Sequence, residues 1–226
     1  MISGETRLVA LIGDPVSASL SPLMHNAAFA ATGLDWAYVA LPAKAERLQD
    51  ALRGLLALGF AGANVTTPHK LEVARLVDAD VPSVNTLVAR DGRLHGYSTD
   101  AAVLEGLDTE RAAILGAGGA AEAFAAALPD AARFARSGRW PPSVAACTLV
   151  VNATSERDEA LVELTAEQTL IDLPYPRTAT AARAEAAGAR VVDGLDALVA
   201  QGAASFELWT GLPAPVDVMR AAVRSA

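Results

Sequence analysis

The sequence predicts an α/β protein made of two units, each with a mostly parallel sheet. Apolar runs of strand length alternate with alanine- and leucine-rich helical stretches along the 226 residues. The dipeptide Asp91-Gly92 separates two apolar runs, which predicts a tight hairpin. Because a hairpin interrupts the alternation of strands and helices, we expect it to end the first unit.

Glycine, proline and short polar residues set the ends of the elements in the first unit. Gly33 and Gly59 end two helices, and Pro68, with Thr67 as its N-cap, begins a third. The expected elements, in chain order, are a strand Leu8–Gly13, a helix from Pro22 to about Thr32, a strand Trp36–Leu41, a helix Glu46–Leu58, a strand before Asn64, a helix from Pro68, and hairpin strands Val84–Ala89 and Leu94–Tyr97.

The second unit begins with a small apolar strand and is richer in alanine. Alanine is the best helix former, so Ala120 to Ala135 is interpreted as a packed helix rather than low complexity, with its last residues, Ala132 to Ala135, assigned to a strand. The other expected elements are strands Ala112–Leu115, Leu149–Asn152, Leu170–Asp172 and Arg190–Val192, and a helix from about Thr178 to Ala187 that Gly188 ends.

Composition and charge exclude several classes of function. The chain is 52% hydrophobic and 19% charged, with a net charge of −8 and a pI near 4.9, which argues against binding to nucleic acid or to a membrane surface. We expect no signal peptide or membrane span, and a cytoplasmic location. The single cysteine, Cys147, is expected to be a buried structural thiol. The histidines His25, His69 and His95 lack the spacing of metal ligands, so we expect no metal site.

A polar cluster follows the apolar run that ends at Ala63. The segment from Asn64 to Lys70 carries amide, hydroxyl and ammonium groups. If the run is a buried strand, these groups lie at its carboxyl end, where open α/β sheets bind ligands. A surface lysine after an ordinary β-to-α turn is an equally good interpretation of this segment alone.

The segment Gly116-Ala117-Gly118-Gly119-Ala120-Ala121 matches G-x-G-x-x-A between a strand and a helix. Such a turn lets backbone approach a pyrophosphate, which the helix amino terminus attracts; a purely structural glycine turn is the alternative. About 20 residues further on, an acidic residue for the ribose of NAD is missing. Arg136 and Ser137 stand there instead and could bind the 2′-phosphate of NADP(H), although a solvated arginine is also possible.

Alternate serines lie before the first helix. Ser21 precedes Pro22 and suits an N-cap, which explains it without any ligand. Together, Ser19 and Ser21 could instead hydrogen-bond a carboxylate near the helix amino terminus.

Several separated polar and glycine-containing motifs follow one another along the chain. They are Ser19-Leu20-Ser21-Pro22 with His25-Asn26, Asn64-Val65-Thr66-Thr67-Pro68-His69-Lys70, Val84-Asn85-Thr86, Ser98-Thr99-Asp100, Gly116-Ala117-Gly118-Gly119-Ala120, Val151-Asn152-Ala153-Thr154-Ser155, and Gly194-Leu195 through Leu198-Val199-Ala200-Gln201. These motifs and their order resemble those of the shikimate dehydrogenase family, and the likeness covers nearly the whole chain. It implies NADPH-dependent, reversible reduction of 3-dehydroshikimate to shikimate in aromatic amino-acid biosynthesis.

The resemblance also implies roles for individual residues. Lys70 and Asp100 would be the catalytic pair. Substrate would be bound by Ser19, Ser21, Asn64, Thr66, Asn85, Tyr175 and Gln201. NADP would be bound by Gly116, Ala117, Gly118, Gly119, Ala120, Arg136, Ser137, Asn152 and Thr154. A substrate domain, 1–99 completed by helices at 195–226, would flank a Rossmann-like nucleotide domain at 100–194. A monomer or a homodimer is expected.

The nucleotide domain departs from the family pattern because it is short. Only 14 residues lie between Ser137 and Asn152, where the family usually has a helix, a strand and their connections. Ala101 also stands where the family commonly has glycine. Two alternatives therefore stay open: a quinate- or shikimate-type dehydrogenase that uses NAD, and a non-catalytic shikimate-binding relative.

Overall fold

The computed structural model describes residues 2–226 and confirms the α/β class. The chain divides into two compact units, Met1–Thr99 with Val199–Ala226, and Asp100–Leu198. The boundary near the carboxyl terminus falls inside a helix that begins at Gly194.

The first unit contains a five-stranded sheet. Its strands are β1 (Arg7–Gly13), β2 (Trp36–Pro42), β3 (Gly62–Val65), β4 (Thr86–Arg90) and β5 (Arg93–Tyr97), and its helices before the second unit are α1 (Ser21–Thr32), α2 (Leu48–Ala57) and α3 (Lys70–Leu76). The order is β2-β1-β3-β4-β5, with the first three strands parallel and the hairpin antiparallel. The end of β3 therefore lies beside the beginning of β4.

The second unit contains a five-stranded parallel sheet of order β10-β9-β8-β6-β7. Its strands are β6 (Ala112–Leu115), β7 (Ala132–Phe134), β8 (Leu149–Asn152), β9 (Thr169–Asp172) and β10 (Arg190–Val192), and its helices are α4 (Gly119–Ala127) and α5 (Ala179–Ala186). The helix α6 (Gly194–Thr210) crosses the boundary, and α7 (Val216–Arg224) belongs to the first unit.

Alternate residues of the second sheet are buried on opposite faces, as expected for a parallel sheet covered on both sides. Leu115, Val150 and Leu170 belong to one buried apolar cluster. Ile114 and Val151 belong to another, which includes Phe124 of α4. The two clusters hold the carboxyl ends of the strands in fixed positions beneath the glycine turn.

Several element boundaries differ from the sequence predictions. The third helix begins at Lys70 rather than Pro68, because residues 66–69 form a turn in which the His69 N–H donates to the Thr66 carbonyl. Thr67 is therefore not its N-cap. The alanine-rich helix stops at Ala127.

Glycines end helices where the sequence places them. Gly33 adopts φ +69° and Gly188 adopts φ +81°, in the left-handed region that favours glycine. Cys147 is half-buried beside an apolar cluster of the second unit, and its burial raises the pKa of the thiol. Among residues 2–226, no helix is long and apolar enough to span a membrane.

Candidate active site

Asn64 is the centre of a buried hydrogen-bond network in the first unit. It lies in β3 opposite Thr86 of β4, and its side chain is only 4% exposed. Its Oδ1 accepts a hydrogen bond from the Tyr38 hydroxyl at 2.9 Å. Its Nδ2 lies 3.0 Å from the Asn85 carbonyl, 3.1 Å from Thr86 Oγ1 and 3.0 Å from Ser205 Oγ. These contacts fix which end of the amide is the oxygen.

Asn85 is held in one orientation by the residues around it. Its Oδ1 accepts from the Thr99 backbone N–H at 2.7 Å. Its Nδ2 donates to Thr99 Oγ1 at 2.9 Å and to Gln201 Oε1 at 3.1 Å. Because the Gln201 oxygen accepts this bond, its Nε2 is the donor end of that amide. Gln201 is half-buried on α6.

Ser205 connects α6 to the strands. Its hydroxyl donates to the Gln201 carbonyl, one helical turn earlier, at 2.9 Å. The same oxygen lies 2.8 Å from Thr86 Oγ1 and 3.2 Å from Thr99 Oγ1. Ser205 and Thr86 are both fully buried. The turn of helix that carries Gln201 is thereby tied to the strand ends that carry Asn64 and Asn85.

Backbone hydrogen bonds place Lys70 at the same edge of the first sheet. Its carbonyl accepts from the Val84 N–H at 3.0 Å, directly before Asn85. His69, buried beside it, is anchored through Nε2 to the Ala43 carbonyl at 2.6 Å. Lys70 itself is half-buried at the first residue of α3.

Thr66 directly follows β3 and packs against β1. Its N–H donates to the Ile12 carbonyl at 2.8 Å. A Cβ added at Gly13 would approach Thr66 Cγ2 within 2.2 Å, so glycine is required there. The half-buried Thr66 side chain is thus located by the neighbouring strand.

Ser19 and Ser21, at the start of α1, do not act as the capping alternative predicts. The N-cap position is Leu20, whose side chain makes no capping hydrogen bond. Ser19 Oγ accepts from the Ser21 N–H at 3.2 Å, while Ser21 is 5% exposed. The Ser19 hydroxyl, rather than that of Ser21, satisfies an amide at the helix start.

His25 lies behind this network and is fully buried. Its ring stacks on Tyr38 with 4.6 Å between centroids and an interplanar angle of 10°. Within residues 2–226 neither ring nitrogen has a hydrogen-bond partner, and burial lowers the pKa of His25 to about 3. A neutral imidazole thus packs as an aromatic surface against the tyrosine that donates to Asn64.

In the second unit, the glycine turn connects β6 to α4. Gly116 has φ +124°, and a Cβ there would lie 2.8 Å from the Ala153 carbonyl oxygen. Gly118 is the N-cap residue, and a Cβ there would meet no described atom within 4 Å beyond its chain neighbours. Ala117 is exposed, whereas Gly119 and Ala120 are half-buried in the first turn of the helix. The turn fits a pyrophosphate, since space lies before unpaired helix N–H groups.

A second buried network lies at the end of β8. Asn152 is fully buried, and its Nδ2 donates to Asp172 Oδ1 at 2.7 Å. Its Oδ1 accepts from the N–H and hydroxyl of Thr154 at 3.1 and 2.8 Å. The Thr178 hydroxyl donates to Asp172 Oδ2 at 2.7 Å, and burial raises the pKa of Asp172 despite these bonds.

Arg136 and Ser137 are exposed just beyond β7. The Arg136 guanidinium lies 3.3 Å from the Glu156 carboxylate and 5.7 Å from the centroid of the Trp140 ring. Asp100 begins a 3-10 turn directly after Thr99, and Tyr175 is half-buried after β9. The structure adds a partner, Glu156, that the sequence prediction for Arg136 did not include.

Sequence reasoning missed the residues that orient the expected ligands. Thr86 and Thr99 lie inside two of the family motifs, but the sequence does not indicate that they orient their neighbours. Ser205 and Tyr38 carried no motif. For Ser205 the sequence offers one signal, a hydroxyl residue four positions after Gln201 and therefore on the same helix face.

Known proteins resemble the chain over its full length. Residues 11–88 match the model of the shikimate dehydrogenase substrate binding domain, and residues 194–224 match that of the shikimate 5'-dehydrogenase C-terminal domain. A shikimate dehydrogenase (NADP(+)) of Moorella thermoacetica is 41% identical, with 100% of this chain and 95% of the relative covered. That alignment runs over 280 positions, whereas this chain has 226 residues, so the chain is shorter than this relative.

Solved structures show the same likeness. A shikimate dehydrogenase in complex with NADP+ superposes with a TM-score of 0.90 at 30% identity, with 100% of this chain and 97% of that chain covered. The enzyme of Thermus thermophilus, in complex with NADP(H) and shikimate, gives 0.84 at 31% identity, with 97% and 99% covered. The identity and coverage of these relatives show that the chain belongs to the shikimate dehydrogenase family.

Proposed function

We propose that the protein is an NADP-dependent shikimate dehydrogenase, which reversibly reduces 3-dehydroshikimate to shikimate for chorismate and aromatic amino-acid biosynthesis. Family membership over the full length supports this activity. The observation that carries this proposal is the hydrogen bond that fixes the amides of Asn85 and Gln201. They lie at the edge of the first sheet beside which Lys70 is also held. A small substrate with several hydroxyl groups requires donors and acceptors whose positions are set before it binds.

In this proposal, neutral groups bind the substrate. Ser19 and Ser21 donate to its carboxylate, and Thr66 and Gln201 bind ring oxygens. Asn85, whose amide has protein partners at both ends, sets the orientation of Gln201. Tyr175 is a further substrate ligand. The bond from Asn85 to Gln201 Oε1 fixes the orientation of the Gln201 amide. A local set of hydroxyl and amide donors can hold an anion even though the net charge of the protein is −8.

Lys70 stabilises the charge that develops on the substrate carbonyl oxygen and delivers a proton to it. An ammonium group held at a helix start needs little reorganisation when that charge appears. We propose that Asp100 works with Lys70. Asp100 follows Thr99, whose backbone is anchored to Asn85, so the chain is fixed up to that residue.

NADPH supplies the hydride when it is bound. We propose that the segment Gly116–Ala120 accommodates its pyrophosphate through the first N–H groups of α4. Arg136 and Ser137, at the end of β7, would bind the adenosine 2′-phosphate, and Thr154 would line the site after β8.

Asn64 and Asn152 were expected to contact ligands, but their amides are enclosed by protein partners. We propose that both are positioning residues. Asn64 orients Asn85 and Ser205, and Asn152 orients Thr154 and Asp172. A buried amide whose oxygen and nitrogen have fixed partners transmits one orientation to its neighbours.

Steady-state reduction of 3-dehydroshikimate with NADPH, together with fluorescence titration of NADPH, tests the proposal. Turnover with micromolar nucleotide affinity would support it. Faster turnover of quinate with NAD would favour the related dehydrogenase, and shikimate binding without NADPH binding at millimolar concentration would favour a non-catalytic relative. A cytoplasmic location and a monomeric or homodimeric state stay predictions from the sequence.

A further inference from the structure

The ion pair between Arg136 and Glu156 joins the segments that follow β7 and β8, the two neighbours of the strand that leads into the glycine turn. Arg136 follows β7, and Glu156 follows β8 by four residues. Both strands pair directly with β6, one on each side. Neighbouring strands are about 4.8 Å apart, so β7 and β8 are roughly 10 Å apart. The two side chains together span this distance, near the end of β6 from which the glycine turn emerges.

Glu156 is the anchored member of the pair. Its Oε1 accepts from the N–H groups of Arg157 and Asp158, each at 3.1 Å, and from that of Glu159 at 3.4 Å. Its own N–H donates to Thr154 Oγ1 at 3.2 Å. Thr154 is in turn bonded to the fully buried Asn152, so this loop is attached to the core of the unit.

Arg136 is the adaptable member. Its side chain is 61% exposed, compared with 25% for Glu156. Glu156 presents Oε2 to the guanidinium at 3.3 Å, and a more exposed carboxylate, Glu159, lies 3.9 Å away. Backbone N–H groups, first that of Asp158, lower the pKa of Glu156, so the carboxylate stays charged at neutral pH.

Arginine at the end of this strand is suited to the 2′-phosphate of NADP, whereas an acidic group near the same ribose is suited to the 2′-hydroxyl of NAD. This chain places one of each within contact distance. A 2′-phosphate that binds Arg136 must displace the Glu156 carboxylate from the guanidinium. The phosphate then still lies near the negative charge of that carboxylate. The 2′-hydroxyl of NADH can donate to the carboxylate and leaves the ion pair intact.

We propose that Glu156 is a cofactor-selectivity residue that competes with the 2′-phosphate for Arg136 and thereby lowers the preference of the protein for NADPH over NADH. This inference rests on the proposed function, because it assumes that a nicotinamide dinucleotide binds at the glycine turn. It concerns equilibrium binding and needs no turnover.

The test is fluorescence titration of NADPH and of NADH with the full chain and with Glu156→Gln. Glutamine keeps a side-chain oxygen for the backbone N–H groups, so the loop can be retained while the charge is removed. We expect the Kd for NADPH to fall about two- to fivefold, the range of one exposed charge pair, while the Kd for NADH stays unchanged or rises. Equal thermal midpoints would show that the fold is retained.

Two further variants sharpen the result. Glu159→Gln is the matched control, because its carboxylate is more distant and more exposed, and it should change the ratio of the two Kd values less. When Arg136→Gln is already present, Glu156→Gln should lower the Kd for NADPH by a smaller factor than it does in the natural chain, because the guanidinium is absent. An unchanged ratio of Kd values in Glu156→Gln would overturn the proposal alone. If the natural chain bound neither nucleotide, the proposed function would fail as well.

Discussion

The first unit buries the polar groups that orient its candidate substrate-binding residues, whereas the second unit exposes the arginine that we propose for the 2′-phosphate. Asn64, Thr86 and Ser205 are all 4% exposed or less and share hydrogen bonds across three elements. Arg136, in contrast, is 61% exposed and paired with a carboxylate. The first arrangement is set by packing and the second by competing charges. The side chains proposed to bind substrate are therefore held in place before it binds, whereas the Arg136 guanidinium can exchange one partner for another.

The largest expected effect comes from removing the ammonium group in the first unit. Lys70→Ala should lower kcat about 10²- to 10⁴-fold and change the KM for 3-dehydroshikimate much less, because charge stabilisation is lost chiefly in the transition state. Steady-state kinetics measure both quantities. Lys44→Ala, at an exposed lysine, is the matched control. Unchanged turnover in Lys70→Ala would sink the catalytic assignment.

The glycine turn offers a test of the second unit that separates folding from binding. Gly118→Ala adds a methyl group into open space at φ −85° and should leave the thermal midpoint unchanged. If a pyrophosphate lies there, the Kd values of NADPH and NADH should both rise about 10- to 100-fold, since an inserted methyl group in a packed contact costs about 1–3 kcal/mol.

Gly116→Ala provides the contrast for that result. Its positive φ and the nearby Ala153 carbonyl oppose any Cβ, so this variant should lose stability as well as binding. Retention of full nucleotide affinity in Gly118→Ala would show that the cofactor does not approach the turn.

The buried network can be broken at one hydroxyl. Ser205→Ala removes one acceptor of Asn64 Nδ2 and one partner of the Thr86 hydroxyl, and losing such hydrogen bonds costs about 1–1.5 kcal/mol. We expect kcat/KM for 3-dehydroshikimate to fall about five- to tenfold while the Kd for NADPH is unchanged. Thr210→Ala is the matched control, because Thr210 makes the same bond to the preceding helical turn outside the network. Equal losses in both variants would argue against a positioning role.

The last expected effect concerns stability rather than activity, and it is a pH dependence that arises in the first unit. Burial lowers the pKa of His25 from 6.5 to about 3, so between these values the unfolded chain binds more protons than the folded chain. The neutral, buried His25 therefore costs no stability above pH 6.5. The free energy of unfolding falls as the pH drops from 6.5 toward 3, by up to about 1.4 kcal/mol per pH unit. Denaturant unfolding between pH 4 and 7 should show this slope, and His25→Phe should reduce it. An identical slope in the variant would exclude His25 as its source.

Much of the fold could be predicted because its signals are local. Apolar runs gave β6, β8 and β10 their observed bounds, and Gly33 and Gly188 ended helices in left-handed conformations. The start of α3 was predicted incorrectly because Pro68 suits either a first helical turn or the turn before it. Local propensity does not distinguish those two positions.

The sequence by itself determined the class of fold, the family, the polar ends of the strands and the glycine turn, since each depends on residues close together in the chain. Only the tertiary structure decided which way the amides of Asn64 and Asn152 face, and that Ser205 joins the network of the first unit from 141 residues beyond Asn64. It also placed Glu156 against Arg136, 20 residues away. Hydrogen bonds and charges select their partners by distance in space, and only packing of the strands and helices sets that distance.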